Sequence, residues 1–127
     1  MFVHSVEDDV STAKVNSVCE LNLAAKFDAP ILGFGTTDEG RSETMKNLAT
    51  LADLGGSEGK DHDFVPDERI SDGQFIQGDG CALEAIHTPG HLSNHLCFAI
   101  QGTGAVLSGD HVMGWASTMV SPPDGDL

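Results

Sequence analysis

The residues best placed to do chemistry lie in two short segments of the second half of the chain. Residues 87–95 read His-Thr-Pro-Gly-His-Leu-Ser-Asn-His, and residues 108–111 read Ser-Gly-Asp-His. Pro89-Gly90 predicts a tight turn after a strand that ends at His87, and this turn aims the side chain of His91 from a loop at the edge of a sheet. An imidazole together with the carboxylate of Asp110 forms a ligand pair that zinc accepts.

The elements that must position these two residues are strands. The pattern predicts strands at 81–86, Leu96–Ile100 and Ala105–Leu107, and the glycines at 102 and 104 join the last two strands as a hairpin. Because this hairpin ends at Gly109-Asp110, we expect Asp110 to lie at the same edge of the sheet as His91. Residues 115–127 are predicted to be irregular, since Pro122-Pro123 excludes regular structure there.

The first half of the chain has the order of an α/β unit. Residues 1–3 could end a strand, a helix begins at Ser11 or Thr12 and ends near Phe27, and a short buried strand occupies 31–34. Residues 35–66 are predicted to be a surface excursion with one helix around 42–54. The fold class is therefore α/β, and residues 1–127 are predicted to form a single domain.

Charge and composition exclude several classes of partner. The net charge of −14 comes from 20 acidic and 6 basic residues, so nucleic acid is not expected as a partner. We see neither a signal peptide nor an apolar run of transmembrane length, which leads us to expect no membrane association and a cytoplasmic location. Residues 81–127 contain no Lys or Arg, which indicates a segment that is buried or built for a site.

At this point a resemblance becomes specific. Thr88-Pro89-Gly90-His91 followed by Ser108-Gly109-Asp110 resembles the third and fourth ligand motifs of the metallo-β-lactamase superfamily. The stretches 109–115 and 121–126 are similar to the branch that contains hydroxyacylglutathione hydrolases and endoribonucleases. The resemblance implies an αβ/βα sandwich and hydrolysis of a small acyl substrate, namely an ester, a thioester or a lactam, by metal-activated water.

The same resemblance implies a ligand set at the beginning of the chain. The family opens its site with an H-x-H-x-D-H loop, which residues 4–9 match in part. His4 corresponds to the first histidine and Asp8 to the aspartate, so the metal ligands are expected to be His4, Asp8, His91 and Asp110. The resemblance also gives Asp8 a catalytic role. Val6 and Asp9 stand where the family has its other two histidines.

These departures shape the expected metal site. A single zinc on His4, His91 and Asp110, with Asp8 nearby, is expected rather than two, and manganese or iron would also suit the carboxylate-rich remainder. The family's first strands and its last ligating histidine have no counterpart in the 127 residues. We therefore expect a truncated sandwich that is marginally stable alone or completed by self-association.

The remaining histidines and cysteines have more ordinary interpretations. His87 and His95 are expected to be structural, with His95 placed for a hydrogen bond near the site rather than for ligation. His111 could line the cleft, and His62 is expected on a surface loop. Cys81 and Cys97 are predicted to point into the core.

Three functions remain open from the sequence. The first is a metal-dependent hydrolase whose activity is impaired in this chain. The second is a non-catalytic fragment or pseudoenzyme that keeps a partial single-metal site. The third is a nuclease, which the charge of −14 disfavours because RNA would have to approach an acidic surface.

Overall fold

The computed structural model describes residues 2–3, 24–51 and 63–125. Two sheets and one helix organise them. The strands, in chain order, are β1 (Phe2–Val3), β2 (Ile31–Gly33), β3 (Glu68–Arg69), β4 (Phe75–Gly78), β5 (Cys81–His87), β6 (Leu96–Ile100) and β7 (Ala105–Leu107). Helix α1 spans Glu43–Leu51, a 3-10 turn named η1 spans Gly109–His111, and residues 24–27 are also helical.

The first sheet is parallel and has the order β1-β2-β3. Parallel neighbours need long crossovers, and the crossover between β2 and β3 contains α1. Asp67 fixes the start of this sheet, because the Ile31 amide donates to its carboxylate at 2.8 Å and the Asp67 amide donates to the Ile31 carbonyl at 2.9 Å. The β2-α1-β3 unit agrees with the predicted α/β fold class, whereas most of the helix predicted before β2 lies outside the described residues.

The second sheet is an antiparallel meander with the order β4-β5-β6-β7. Register pairs His87 with Leu96 across β5 and β6, and Phe98 with Leu107 across β6 and β7. Gly102 and Gly104 in the last turn have φ of 78° and 71°, the left-handed conformation that glycine adopts without steric cost. The hairpin predicted at this position is confirmed.

The hydrophobic core joins the two sheets. Its buried members are Leu32 from the parallel sheet, Ile70, and four residues of the antiparallel sheet, namely Ile76, Ala85, Leu96 and Phe98. Strand β6 begins with three consecutive buried residues, so it is covered on both faces. Strand β7 is exposed along its whole length, which leaves it as an uncovered edge of the sheet.

Some expectations from the sequence need correction or were incomplete. Cys97 is buried as predicted, but the prediction for Cys81 was wrong, because Cys81 is exposed at the tight turn between β4 and β5. Strands β3 and β4 were not predicted individually. Of the predicted helix ending near Phe27, only residues 24–27 fall within the described residues, and they are helical.

A membrane-spanning helix is absent from the portion of the chain that the structure describes, since no helix there is both long and apolar enough.

Candidate metal centre

The antiparallel sheet brings the two predicted ligand segments to one edge. Strands β5 and β7 both pair antiparallel with β6. They therefore run in the same direction, and their C-terminal ends lie at the same end of the sheet. His91 follows the end of β5 by four residues, and Asp110 follows the end of β7 by three. His91 Nε2 lies 3.8 Å from Asp110 Oδ2, with the two side chains 5% and 19% exposed.

The orientation of the His91 ring is fixed by a backbone carbonyl. His91 Nδ1 lies 2.6 Å from the carbonyl oxygen of Met119, and since a carbonyl can only accept, the Nδ1–H donates. In the neutral ring this bond places the proton on Nδ1 and the lone pair on Nε2, the nitrogen that faces Asp110. Metal-binding histidines in proteins are oriented in the same way.

The spacing of the two side chains suits a shared metal ion. A zinc ion lies about 2.0–2.2 Å from nitrogen and oxygen ligands, so two tetrahedral ligands are about 3.4 Å apart and no two ligands exceed about 4.3 Å. The observed 3.8 Å falls in this range and is longer than a direct hydrogen bond. His91 and Asp110 therefore fit two positions of a zinc site.

The loop that carries His91, residues 88–95, is held by segments distant in sequence. The Ser93 amide and hydroxyl both donate to the carbonyl of Asp124, at 2.9 and 2.7 Å. The buried Asn94 side chain donates to the carbonyl of Gly35 at 3.3 Å. These contacts attach the His91 loop to residues 34–42, which precede α1, and to residues 118–125.

An ion pair joins those two supporting segments directly. Arg41 Nη2 lies 2.5 Å from Asp124 Oδ1, and the side chains are only 11% and 4% exposed. The same guanidinium contacts the exposed Asp38 at 2.8 Å. Beside it Gly40 has φ of 89°, and a Cβ there would overlap the Ser93 carbonyl, so residues 34–42 approach the His91 loop as closely as glycine permits.

A carboxylate orders the beginning of the 34–42 loop. The Thr36 amide donates to Glu39 Oε2 at 2.6 Å, and the Arg69 guanidinium donates to the other oxygen of the same carboxylate. The Arg69 hydrogen bond is the main reason that the pKa of Glu39 is held below its usual range. The Glu39 carboxylate thus links the 34–42 loop to the end of β3 through Arg69, and it also closes a turn within the loop through Thr36.

The histidines flanking the site have structural contacts, as the sequence predicted for His87 and His95. His87 stacks on Phe34 with ring centroids 3.9 Å apart, and its Nε2–H donates to the Ser93 carbonyl at 2.8 Å. His95 is 2% exposed and its Nδ1 shares a 2.8 Å hydrogen bond with the Thr88 hydroxyl. Burial and, to a smaller extent, the nearby His111 lower the pKa of His95 to about 4.

The half-buried Thr88 hydroxyl connects His95 with the buried thiol of Cys97. The Thr88 hydroxyl lies 3.3 Å from Cys97 Sγ, and the Cys97 thiol donates to the Ser108 carbonyl at 3.4 Å. The ring of His111 tilts against His95 at a centroid distance of 5.9 Å, while its side chain is exposed. This network underlies both ligand loops, because Thr88 precedes His91 and Ser108 precedes Asp110.

The structure brings two of the four predicted ligands together. His4 and Asp8 lie outside the described residues, as do Val6, Asp9 and His62. Within the described ranges, no group of three or more His, Cys, Asp or Glu side chains is arranged so that it could hold a metal ion. The supporting residues Arg41, Thr118, Met119 and Asp124 were not predicted, since their contacts are long-range and leave no local pattern.

Comparison with known proteins gives one family. The family model described as the metallo-beta-lactamase superfamily matches residues 21–127. An atrochrysone carboxyl ACP thioesterase of Aspergillus chevalieri is 43% identical over 51 residues, which are 40% of this chain and 17% of that protein.

Two further relatives come from Emericella nidulans. The lactamase-like protein aptB is 41% identical over 51 residues, covering 40% of this chain and 16% of that protein. An atrochrysone carboxyl ACP thioesterase is 32% identical over 73 residues, covering 58% of this chain and 24% of that protein. The matched part of the chain thus spans less than a quarter of the length of each of these curated relatives.

Proposed function

Since the chain belongs to the metallo-beta-lactamase superfamily, we propose that it contributes His91 and Asp110 to the metal site of a metal-dependent hydrolase. The observation that carries the proposal is the geometry of His91. Its Nδ1 donates to the Met119 carbonyl at 2.6 Å, while its Nε2 faces Asp110 Oδ2 at 3.8 Å. A purely structural histidine would not need both a fixed tautomer and a carboxylate at ligand spacing.

The metal proposed here is a single zinc ion, with manganese and iron as alternatives. His4 and Asp8 would complete the ligand set by family resemblance, and Asp8 would also act in catalysis. A bound zinc ion lowers the pKa of its water toward about 7 and polarises a carbonyl. The chain's own contribution is to hold His91 and Asp110 in place and to exclude water around His91, which is 5% exposed.

A thioester is the substrate class that we favour among small acyl compounds. The support is the name of relatives such as the atrochrysone carboxyl ACP thioesterase of Aspergillus chevalieri. Esters and lactams need the same polarised carbonyl and remain alternatives. The acidic charge of −14 disfavours nucleic acid, so nuclease activity is not proposed.

Hydrolysis by this chain is proposed to be slow. Val6 supplies no ligand where the family has a histidine, and Asp9 replaces a nitrogen ligand by an oxygen ligand. Zinc held by fewer or weaker ligands binds less tightly. The same observation favours the second candidate, a non-catalytic chain that retains a partial single-metal site.

Restoring the first motif tests the proposal and separates the two candidates. The double variant Val6→His/Asp9→His should hydrolyse an aryl thioester at least about tenfold faster than the parent chain in the presence of zinc. A chelator should abolish the difference. The control Asp79→Asn removes an exposed carboxylate from the turn between β4 and β5 and should change nothing.

The outcomes are distinct. A restored variant that hydrolyses only when zinc is present supports a hydrolase impaired at its first motif. A restored variant with no turnover supports the non-catalytic candidate. Fast thioester hydrolysis by the parent chain, with two tightly held zinc ions, would show that the impairment proposal is wrong.

A further inference from the structure

A shared metal ion requires a defined distance between the side chains of His91 and Asp110, so some contact must fix that distance. His91 lies four residues past the end of β5 and Asp110 three residues past the end of β7, and β6 lies between those strands. The hydrogen bonds of the sheet fix the strand ends but not the loop tips. Sub-ångström placement of a ligand pair must therefore come from contacts beyond the sheet.

Two consecutive residues make those contacts. The Thr118 hydroxyl lies 2.6 Å from the Asp110 carbonyl and 2.8 Å from the His111 carbonyl, so its single proton is shared between both. The next residue, Met119, accepts the His91 Nδ1–H at 2.6 Å. Two adjacent residues thus connect η1, which carries Asp110, with the ring of His91.

The chemistry of threonine suits this role. A β-branched side chain has restricted χ1 freedom, so the hydroxyl of the half-buried Thr118 points in a defined direction. Valine has the same shape without the hydroxyl, and serine has the hydroxyl without the branch. Comparing threonine, valine and serine at position 118 therefore distinguishes the effect of the hydrogen bond from the effect of side-chain packing.

Resting on the proposed metal site, we propose that Thr118 is a positioning residue that fixes Asp110 relative to His91 and thereby sets metal affinity. It touches neither substrate nor metal. Removing its hydroxyl lets η1 move against the His91 loop while leaving both ligands present. Loss of such an outer contact weakens metal binding by about 10- to 100-fold in known sites.

Zinc affinity measured by competition with a chromophoric chelator gives the first test, using the full 127-residue chain. Thr118→Val should bind zinc about 10- to 100-fold more weakly than the parent chain, and Thr118→Ser should recover most of that loss. Thr50→Val is the matched control, because the Thr50 hydroxyl donates to the Asn47 carbonyl at 2.7 Å on exposed helix α1. Equal affinity of Thr118→Val and the parent chain would overturn the proposal.

A metal-free readout makes the inference independent of the proposed function. In the metal-free chain, Thr118→Val should shift the carbonyl carbon resonances of Asp110 and His111, whereas Thr118→Ser and Thr50→Val should not. Unchanged resonances in Thr118→Val overturn the positioning role. If they shift but the parent chain binds no zinc, the contact stands while the proposed metal site and the effect on affinity both fail.

Discussion

A histidine binds a metal through the ring nitrogen that carries no proton. At His91 the Met119 carbonyl determines which nitrogen this is, because it accepts the proton of Nδ1 in a hydrogen bond. Its 2.6 Å hydrogen bond to Nδ1 leaves Nε2 directed at Asp110. Met119 is 28 residues from His91 in sequence, and a backbone carbonyl carries no side-chain signature. The position of His91 beside Asp110 could thus be predicted from the sequence, but the group that orients its ring could not.

The buried His95 gives a prediction at the residue scale. Burial first, and then the charges of His111, His91 and His87, lower its pKa to about 4 from 6.5. Because the folded state binds the proton more weakly than the unfolded state, this histidine stabilises the fold fully above pH 6.5. Its contribution is lost as pH falls from 6.5 towards 4.

The measurement is urea unfolding of the metal-free chain at several pH values between 7 and 5, where ordinary carboxyl groups stay ionised. The unfolding free energy of the parent chain should fall more steeply than that of His95→Gln, by about 1 kcal/mol per pH unit. Glutamine keeps a polar partner for the Thr88 hydroxyl without titrating. Parallel pH profiles for the two proteins would contradict the buried, neutral state of His95.

At the scale of elements, the antiparallel meander was predictable where its pattern was strong. Strands β6 and β7 have the predicted bounds, and β5 ends at His87, where the Pro89-Gly90 turn predicted that a strand ends. Strand β4 was missed because only Ile76 of its four residues is buried, so no alternation stands out. Cys81 was misplaced because it begins β5 at a tight turn, where the side chain faces solvent.

The contacts that support the site could not be predicted from the sequence, because they join residues that are far apart along the chain. Arg41 and Asp124 are 83 residues apart, and each alone has the appearance of an ordinary surface charge. Their pairing is a property of the tertiary fold. That the loops of His91 and Asp110 lie at the same end of the sheet was predictable, because it follows from strand direction, which the hairpin pattern determines.

The Arg41–Asp124 ion pair carries a prediction for the segments that support the His91 loop. Both side chains are nearly buried, at 11% and 4% exposure, so removing the guanidinium takes the opposite charge away from a buried carboxylate. Arg41→Met should lower the unfolding free energy by about 3 kcal/mol. Lys46→Met removes a cation from the exposed Lys46–Glu43 pair and should cost less than about 1 kcal/mol.

Urea denaturation of both variants beside the parent chain provides the measurement. Losses of equal size would mean that the Arg41–Asp124 pair does not support the fold more than a surface pair does. A larger loss in Arg41→Met agrees with segments 34–42 and 118–125 holding the His91 loop between them.

At the scale of the whole molecule, the described residues leave much apolar surface uncovered. Large hydrophobic side chains are exposed at Phe27, Leu51, Val65, Phe75, Val106, Leu107, Val112, Trp115 and Met119. Strand β7, which is the last strand of the antiparallel sheet among the described residues, contributes two of them. We therefore expect the 127-residue chain on its own to be marginally stable or to self-associate.

Trp115 reports directly on that expectation, because it is the only tryptophan in the sequence and is 89% exposed. Sedimentation velocity should give an average mass that rises with concentration, accompanied by a blue shift of tryptophan emission if Trp115 becomes covered. A monomer at all concentrations that melts sharply above about 60 °C, high for a mesophilic domain, would contradict the expectation.

The central claim is that His91 and Asp110 bind the same metal ion, and a zinc competition titration of four proteins tests it most directly. The parent chain and the control Asp79→Asn should each bind one zinc ion per chain with equal affinity. His91→Gln and Asp110→Asn should each weaken binding by at least about 100-fold, since each loses a direct ligand. Unchanged zinc affinity in either ligand variant would contradict the account.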